Sequence, residues 1–482
     1  MACESVIVIG GGLAGLSAAT ALADAGIRVQ LFEKRPYLGG RATSYALPDG
    51  SHIDNCQHVT LGCCTNLANF YERTGAASRI RHYDRLFFAD RKGRISSIHA
   101  SALPPPFHTS LSFLRFGALT WRDKRAIAKA LLHIARLGGH PEIGTGMTML
   151  EWLQRNGQTE GAIQRFWRVV LVSALDEELH LTDARYGIDV FWKAFLQNRK
   201  GYVLGIPSVP LGELYAECRQ GIENRAGMIR SRAVVRKIRF VEEKFRAVVL
   251  DDGSEMQADA CVAAVPHDAL LELLPEELRA NNSTFANLKH LQTSPITGVH
   301  LWYDKQVLGK PFLTLIDHTV QWIFNKSLLY DSGGGSEKDT GQYLQLVVSA
   351  SYELIPKARQ EIIDLCTREL HEVLPATRSA QLRKANVVKE VHATFSPRPG
   401  SDAWRPPQRT EIYGFFLAGD WTRTGWPSTM EGAVRSGYLA AEAVLEFAGA
   451  RRKFLVPDLP AEGFCRSWAK GRTAGPSRPL RT

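Results

Sequence analysis

The chain has 482 residues, 45% hydrophobic and 22% charged, a balance that excludes a disordered chain, a collagen-like fibre and a small disulfide scaffold. At roughly 150 residues per domain this is about three domain-equivalents, enough to enclose a bulky apolar ligand. The net charge of +10 is local: residues 107–137 carry six basic residues against Asp123, residues 451–482 carry eight against Asp458 and Glu462, and the rest is about neutral. That pattern suits an anionic membrane surface or a protein partner, and no nucleic acid is expected.

In chain order, residues 6–23 are uncharged, yet Gly10, Gly11 and Gly12 interrupt them after four aliphatics and Asp24 follows at once. The pattern predicts a short buried strand, Val6–Ile9, a glycine turn and a helix, neither a signal peptide nor a membrane span. Gly10-Gly11-Gly12-Leu13-Ala14-Gly15 reads G-x-G-x-x-G between that strand and that helix. The first glycine permits the tight turn, the second lets backbone approach a pyrophosphate, and the third lets helix and strand pack closely. The helix N-terminus supplies free N–H groups. A second strand, Val29–Phe32, ends in Glu33, placed to accept ribose hydroxyls. An α/β dinucleotide-binding domain follows from these elements together.

Glu33-Lys34-Arg35 leads into Leu38-Gly39-Gly40-Arg41-Ala42, and Asp54-Asn55-Cys56-Gln57-His58 then sets hydrogen-bonding groups ahead of an apolar run. From about 75 to 205 the pattern is mostly helical, with a stop at Pro104-Pro105-Pro106. In 107–137, Phe107, Leu111, Phe113, Leu114, Phe116, Leu119 and Trp121 accompany the basic residues. An interfacial membrane anchor and a surface helix packed on the protein both fit that stretch. Residues 211–222 read as a helix, Ala233–Val241 with Phe245–Leu250 as a hairpin, and 259–266 as an apolar strand rejoining the first sheet. A mixed block follows, with strands Thr297–Tyr303 and Tyr343–Ala350 and a helix over 356–373. Gly333-Gly334-Gly335 reads as a flexible acidic surface loop, and no second G-x-G-x-x-G follows a strand. A nicotinamide cofactor thus has no domain of its own, and a separate electron donor or acceptor is required. The dinucleotide-binding domain is assigned to 1–70, 206–266 and 406–450, the substrate domain to 71–205 and 267–405, and 451–482 is expected to be a poorly ordered basic tail.

The glycine turn, the Gly39-Gly40-Arg41 loop, and the distant Leu417-Ala418-Gly419-Asp420-Trp421-Thr422 and Glu431-Gly432-Ala433-Val434-Arg435-Ser436-Gly437 together resemble the fingerprint of the amine oxidase and phytoene desaturase superfamily of flavoproteins. The resemblance implies FAD as cofactor, held by a Rossmann-like domain interleaved with a mixed α+β substrate domain. It counts Lys34 with Glu33 among the cofactor-binding residues and places Gly39, Gly40 and Arg41 along the flavin side, Arg41 close to the pyrophosphate, and the Val235 backbone at the adenine. Asp420, closing a strand, can bind ribitol hydroxyls. The helix beginning near Thr429, with Glu431, Gly432 and Ala433, can aim its N-terminus at the isoalloxazine carbonyl.

The segments DNCQHVTLGC, FWRVVLVSALDEE, SVPLGELY, SPITGVHLWYDKQV, VQWIFNK, VHATFSPRPG and FLAGDWTRTGWPSTMEGAVRSGYLAAEA are similar to the squalene-associated FAD-dependent desaturases, or hydroxysqualene dehydroxylases, of bacterial hopanoid synthesis. Two residues depart from that pattern: Cys56 replaces a glycine and Asp176 an asparagine. This finer resemblance implies hydride delivery from reduced flavin to hydroxysqualene, loss of hydroxide as water, and release of squalene. The alternative is a carotenoid-type desaturase running the flavin in the other direction, and the remote one a non-catalytic prenyl-lipid escort protein.

Dehydroxylation needs an acid for the leaving group, π-rich surroundings for an allylic cation, and a long apolar cavity. His58 is the first candidate acid. Asp54 and Asp176 are the carboxyl candidates, with loop orientation and a helix-end surface carboxylate as their respective rival roles. Gln57, Trp192, Trp302, Trp322 and Trp426 are candidates for the substrate pocket. The eight scattered cysteines suit no metal site and, without a secretory signal, read as reduced thiols of a cytoplasmic protein, with peripheral attachment at the inner face of the cell membrane if 107–137 is an anchor.

Overall fold

The structure is a computed structural model, and it describes residues 3–140, 143, 146–330 and 341–470. Its first layer is a five-stranded parallel sheet in the order Met228–Ser231, Arg28–Glu33, Ser5–Ile9, Ala260–Ala263, Phe415–Leu417. The central strands are unbroken apolar runs because both sheet faces are covered, which removes the alternation of a half-exposed strand. The helix Leu13–Asp24 lies on one face and packs closely on the helix Met430–Phe447. Gly437 makes that approach possible, since a Cβ there would sit 2.1 Å from the Ser17 hydroxyl and 2.3 Å from the Ala14 carbonyl.

The second layer is a seven-stranded sheet in the order Leu382–Phe395, Thr293–Tyr303, Gln342–Ser349, Trp322–Asn325, Phe312–Leu315, Arg85–Ala89, Ile95–His99. All its pairings are antiparallel except that of Phe312–Leu315 with Arg85–Ala89. Alternation sorts its side chains. Leu301, Leu313, Ile323, Leu344 and Leu346 face the helix Arg359–Val373. Leu86, Phe88, Phe312, Trp322, Phe324 and Val347 face the helices Trp121–Arg136, Arg168–Leu175 and Ala184–Val190. An apolar cavity lies on this second face.

Two sequence expectations need correction. The span 75–205 is not mostly helical at its start: Ile80–Tyr83, Arg85–Ala89 and Ile95–His99 are strands. Asp90 turns the last two into a hairpin by accepting the N–H groups of Lys92 and Arg94 at 2.9 and 3.0 Å. The tail's described residues, 451–470, also pack against the rest of the protein. The Phe454 and Leu455 N–H groups donate to Glu442 at 2.8 and 3.0 Å, the Val456 N–H donates to Asn66 at 2.9 Å, and Asp458 pairs with Arg435 at 2.7 Å. A helix, Gly463–Lys470, then packs on Trp121–Arg136 and buries Cys465. Basic composition concealed a few widely spaced apolar anchors, Phe454, Leu459, Cys465 and Trp468. Residues 471–482, and the glycine cluster 333–335, lie outside the described residues.

Candidate active site

The glycine turn forms as its spacing predicts. Gly10 has φ 104°, and a Cβ on Gly15 would lie 1.9 Å from the Gly10 carbonyl, so neither position accepts a side chain. Gly12 is different: its φ is −76°, and a Cβ there would meet only the Gly40 Cα at 3.8 Å. Gly12 bridges to Gly39, so two glycine backbones face one another across a strip bare of side chains. That strip fits the pyrophosphate of a dinucleotide, which needs close approach to backbone N–H groups. Glu33 is buried beside it and accepts the Gly11 and Arg35 N–H groups, both at 2.7 Å. The Ala233 N–H donates to the Glu33 carbonyl at 3.0 Å, which sets buried Val235 next to the same strand end. Leu13 and Ala14 open the helix and are buried, whereas Lys34 is exposed.

Arg41 reaches across to the second motif. Its guanidinium pairs with Asp420 at 2.5 Å and donates to the Ala393 carbonyl at 2.7 Å. Burial disfavours charge on Asp420, but Arg41 and the Ser428 hydroxyl outweigh it and hold the carboxyl below its ordinary range. Gly419 (φ 150°) carries the chain tightly past the Trp421 indole. Thr429 caps the helix Met430–Phe447, accepting the Gly432 N–H at 3.0 Å, while the Ala433 N–H bonds the Thr429 carbonyl at 2.9 Å. Glu431 turns to the helix Thr65–Arg73 and accepts the Asn66 and Leu67 N–H groups at 3.2 and 2.7 Å. Its side chain therefore braces that helix.

An apolar cavity of about 340 Å³ runs from Pro106 and Phe107 to Trp426, Pro427, Thr429 and Met430 at the start of the helix Met430–Phe447. Its walls include Leu86, Phe88, Phe113, Phe166, Val170, Phe191, Phe195 and Trp322. Of the tryptophans singled out from sequence, Trp322 and Trp426 line it. Trp322 donates its indole N–H to Ser173 at 2.8 Å, and Trp426 lies between Lys193 and Arg435, 5.1 and 5.6 Å from its ring centroid. Trp192 and Trp302 do not line the cavity. Trp192 is buried against Gly139, and Trp302 stacks on Tyr343 with Lys384 over its ring.

Gln57 is likewise not a cavity residue. Its side-chain carbonyl accepts from Lys326 at 2.7 Å, and Lys326 donates to Asp54 at 2.6 Å. Asp54 also accepts from Ser44, Tyr330 and the Leu211 N–H at 2.8, 2.8 and 3.0 Å. Lys326 and Asp54 have side-chain exposures of 0% and 1%, so this is a fully buried ion pair that pins the loop carrying His58. Asp54 is thus committed to loop orientation. Lys326 escaped the sequence reading, because a lysine just after the strand Trp322–Asn325 looks like a strand end facing water.

His58 is part-buried, with Nδ1 2.9 Å from the Cys56 carbonyl. A carbonyl only accepts, so Nδ1 carries the proton and Nε2 is left as an acceptor. Burial pulls the imidazole below its ordinary range, which makes it neutral at pH 7. Asp176 ends the helix Arg168–Leu175 with φ 53°, a left-handed position that Asp and Asn tolerate better than most residues. Its carboxyl meets the Ala350 N–H at 2.7 Å and the Thr394 hydroxyl at 2.8 Å, and burial raises its pKa well above the ordinary value. It ties a helix to two strands and does not line the cavity, so the structure gives it a tethering position rather than a place beside the substrate.

Comparison with known proteins extends this geometry. The family model for flavin-containing amine oxidoreductases matches residues 13–445. The 15-cis-phytoene desaturase of Solanum lycopersicum is 30% identical over 467 residues, covering 92% of this chain and 77% of its own. The zeta-carotene desaturase of Synechocystis is 26% identical over 473 residues, covering 91% and 97%. Among solved structures, an oxidoreductase from Methanosarcina mazei superposes with TM-score 0.71 at 18% identity, over 92% of this chain and all of its own. Putrescine oxidase gives 0.69 at 14%, over 92% and 99%. These likenesses show the same fold, an α/β FAD-binding domain with an interleaved substrate domain, and FAD is the cofactor. The carotenoid desaturases overturn the hydroxysqualene dehydroxylase assignment. The motifs behind that assignment chiefly hold cofactor and scaffold, which enzymes for different lipids share. With the family model spanning most of its length and relatives at 30% identity, the chain belongs to the flavin-containing amine oxidoreductase family and is an FAD-dependent oxidoreductase.

Proposed function

We propose that the chain is a carotenoid-type desaturase that takes a long polyene precursor into its cavity and converts a C–C single bond to a double bond. A hydride leaves one carbon and a proton leaves its neighbour. FAD, held by the Gly10–Gly15 turn, Arg41 and Asp420, supplies the two-electron acceptor chemistry when bound. The observation that carries the reading is the apolar cavity ending at Pro427–Met430, where the cofactor helix begins. It excludes water from a hydrocarbon, and the aromatic residues Phe166, Phe191 and Trp322 in its wall suit positive charge that develops there. A separate acceptor must then remove the electrons.

The test is anaerobic. Oxidised, FAD-loaded protein is mixed with 15-cis-phytoene or with zeta-carotene, and flavin and polyene absorbance are followed together. The expected result is bleaching of the flavin band in step with a red-shifted polyene lighter by two hydrogens. Flavin that stays oxidised with both polyenes refutes the reading.

The substrate route fits a membrane surface. No helix among the described residues is long and apolar enough to cross a membrane. Beside the cavity mouth, however, Leu103, Phe107, Leu111, Leu114, Trp121 and Phe464 are exposed, Trp121 by 71%. Arg115, Arg122, Arg125 and Lys129 surround them in water, while Lys124 turns inward to the Leu114 carbonyl at 2.7 Å. Apolar anchors within a basic rim suit an anionic bilayer. The double variant Leu111→Asp/Trp121→Asp is expected to lower partition onto phosphatidylglycerol vesicles at least about tenfold, with FAD content unchanged. Sedimentation with vesicles measures it, and unchanged partition removes the membrane from the proposal.

A further inference from the structure

We propose that Arg405 is a positioning residue for the flavin site: its buried guanidinium gathers the loop 420–426, and so sets Asp420 for FAD and Trp426 in the cavity wall. The proposal rests on the assignment of this loop to FAD and is independent of which lipid the enzyme oxidises.

Arg405 is 1% exposed, although its carboxylate partner Asp402, at 3.0 Å, has a side chain that is 43% exposed. A guanidinium this deep needs its N–H groups satisfied, and most of them serve the one loop. Nη2 donates to the carbonyls of Thr422 and Trp426 at 2.6 and 2.8 Å. It also reaches the Asp420 carbonyl and the Thr424 hydroxyl at 3.2 and 3.3 Å, and Nε reaches the Trp421 carbonyl at 3.4 Å. Residues 418–429 form neither helix nor strand, so no regular ladder satisfies these carbonyls. A rigid planar fork of donors holds several of them at fixed angles, which a lysine ammonium cannot do.

Two features aim the fork. Pro406 follows Arg405 and confines its backbone to the extended region, observed at φ −82° and ψ 110°. The Arg405 Cζ lies 4.7 Å from the centre of the Phe395 ring. Phe395 also leads back to the loop, because its N–H donates to the Ser428 hydroxyl at 3.2 Å and that hydroxyl donates to Asp420. Nη1 points the other way. It donates at 2.5 Å to the hydroxyl of Tyr186, a residue of the cavity wall, which itself donates to Asp402 at 2.5 Å. Arg405 does not line the cavity, and it acts through the residues it holds.

The test dialyses the full chain to equilibrium against graded FAD concentrations and reads bound flavin at its visible band, with each protein's thermal unfolding midpoint measured alongside. Arg405→Lys keeps the charge and loses the fork, and is expected to bind FAD at least about tenfold more weakly. Tyr186→Phe removes one hydroxyl from the network and is expected to weaken FAD binding about threefold. Tyr202→Phe is the control, because its buried hydroxyl is bonded instead to the Ala100 N–H and the Asp84 carbonyl, both at 2.8 Å. It is expected to lower the midpoint and leave FAD affinity unchanged, which separates positioning from general stability.

Asp420→Asn tests the assignment underneath, with an expected loss of at least about tenfold. Unchanged affinity in Asp420→Asn removes the loop from FAD and the proposal with it. An Arg405→Lys protein that keeps its affinity beside a weakened Asp420→Asn overturns the role of Arg405 alone. If the lysine variant does not fold, the tyrosines decide: a loss confined to Tyr186→Phe upholds the proposal, and equal FAD affinity in Tyr186→Phe and Tyr202→Phe overturns it.

Discussion

The Gly12→Val variant is expected to fold and to purify without yellow colour. Gly12 has an extended backbone, φ −76° and ψ 177°, which any L-residue adopts, and a Cβ there meets only ordinary contact with Gly40. Nothing in the protein therefore demands glycine at this position, whereas a pyrophosphate lying on the strip would. Valine methyl groups would fill the bare strip between Gly12 and Gly40 and weaken FAD binding at least about a hundredfold, roughly 3 kcal/mol. Gly15→Val is the contrast, because its Cβ would overlap the Gly10 carbonyl at 1.9 Å and the sheet–helix junction itself would fail. The flavin-to-protein absorbance ratio, read beside circular dichroism, separates the two. A Gly12→Val protein that retains stoichiometric flavin would refute the assignment of this strip to the cofactor.

The second large effect is expected at Lys326. Lys326→Met removes the cation from a pair with almost no solvent exposure and leaves the Asp54 charge uncompensated, a loss of about 3–5 kcal/mol. In the intact protein burial opposes the Asp54 charge, yet Lys326 overcomes it and holds the carboxyl below the ordinary range. A depressed carboxyl stabilises the fold fully above its unfolded pKa, roughly 3.9, and loses that contribution as pH falls through the folded value. Without Lys326 only the Ser44, Tyr330 and Leu211 donors oppose burial, so the carboxyl rises and charging it costs more stability than in the intact protein. The gap between intact protein and variant should thus be full at pH 7 and narrow below about pH 4. Denaturant titrations at the two pH values measure it, and adding Asp54→Asn to Lys326→Met should recover part of the loss. A gap that is constant with pH would show that the ion pair is not its source.

What the sequence made legible follows the range of each interaction. The strand Ser5–Ile9, the glycine turn and Glu33 lie within thirty residues, and their chemistry is written in local spacing. Asp420 was also readable, because its motif is local even though its partner Arg41 is 379 residues away. Lys326 and Asp54 are 272 residues apart and neither sits in a glycine motif, so only the folded sheet brings them together. The tryptophans show the same limit. Trp322 and Trp302 both lie in apolar strands of one sheet, and their position along it, not their composition, puts one in the cavity wall and the other beside Lys384. The lipid was misread for a related reason: residues that grip FAD are alike whichever way hydride flows.

The ordered segment Arg451–Lys470 has a mechanical consequence. Phe454 is rooted in the core of the parallel-sheet layer, Leu459 packs beside Cys63, Ala194 and Trp426, and Cys465 is embedded among the helices that cover the cavity. The chain thus stitches one half of the molecule to the other along the cavity's flank. A wide hinge between the halves would have to tear out the anchor at one end, Phe454 or Cys465. On the proposed function a long hydrocarbon would have to enter and leave by the mouth, where the Phe107 and Phe464 rings meet edge to face at 5.9 Å.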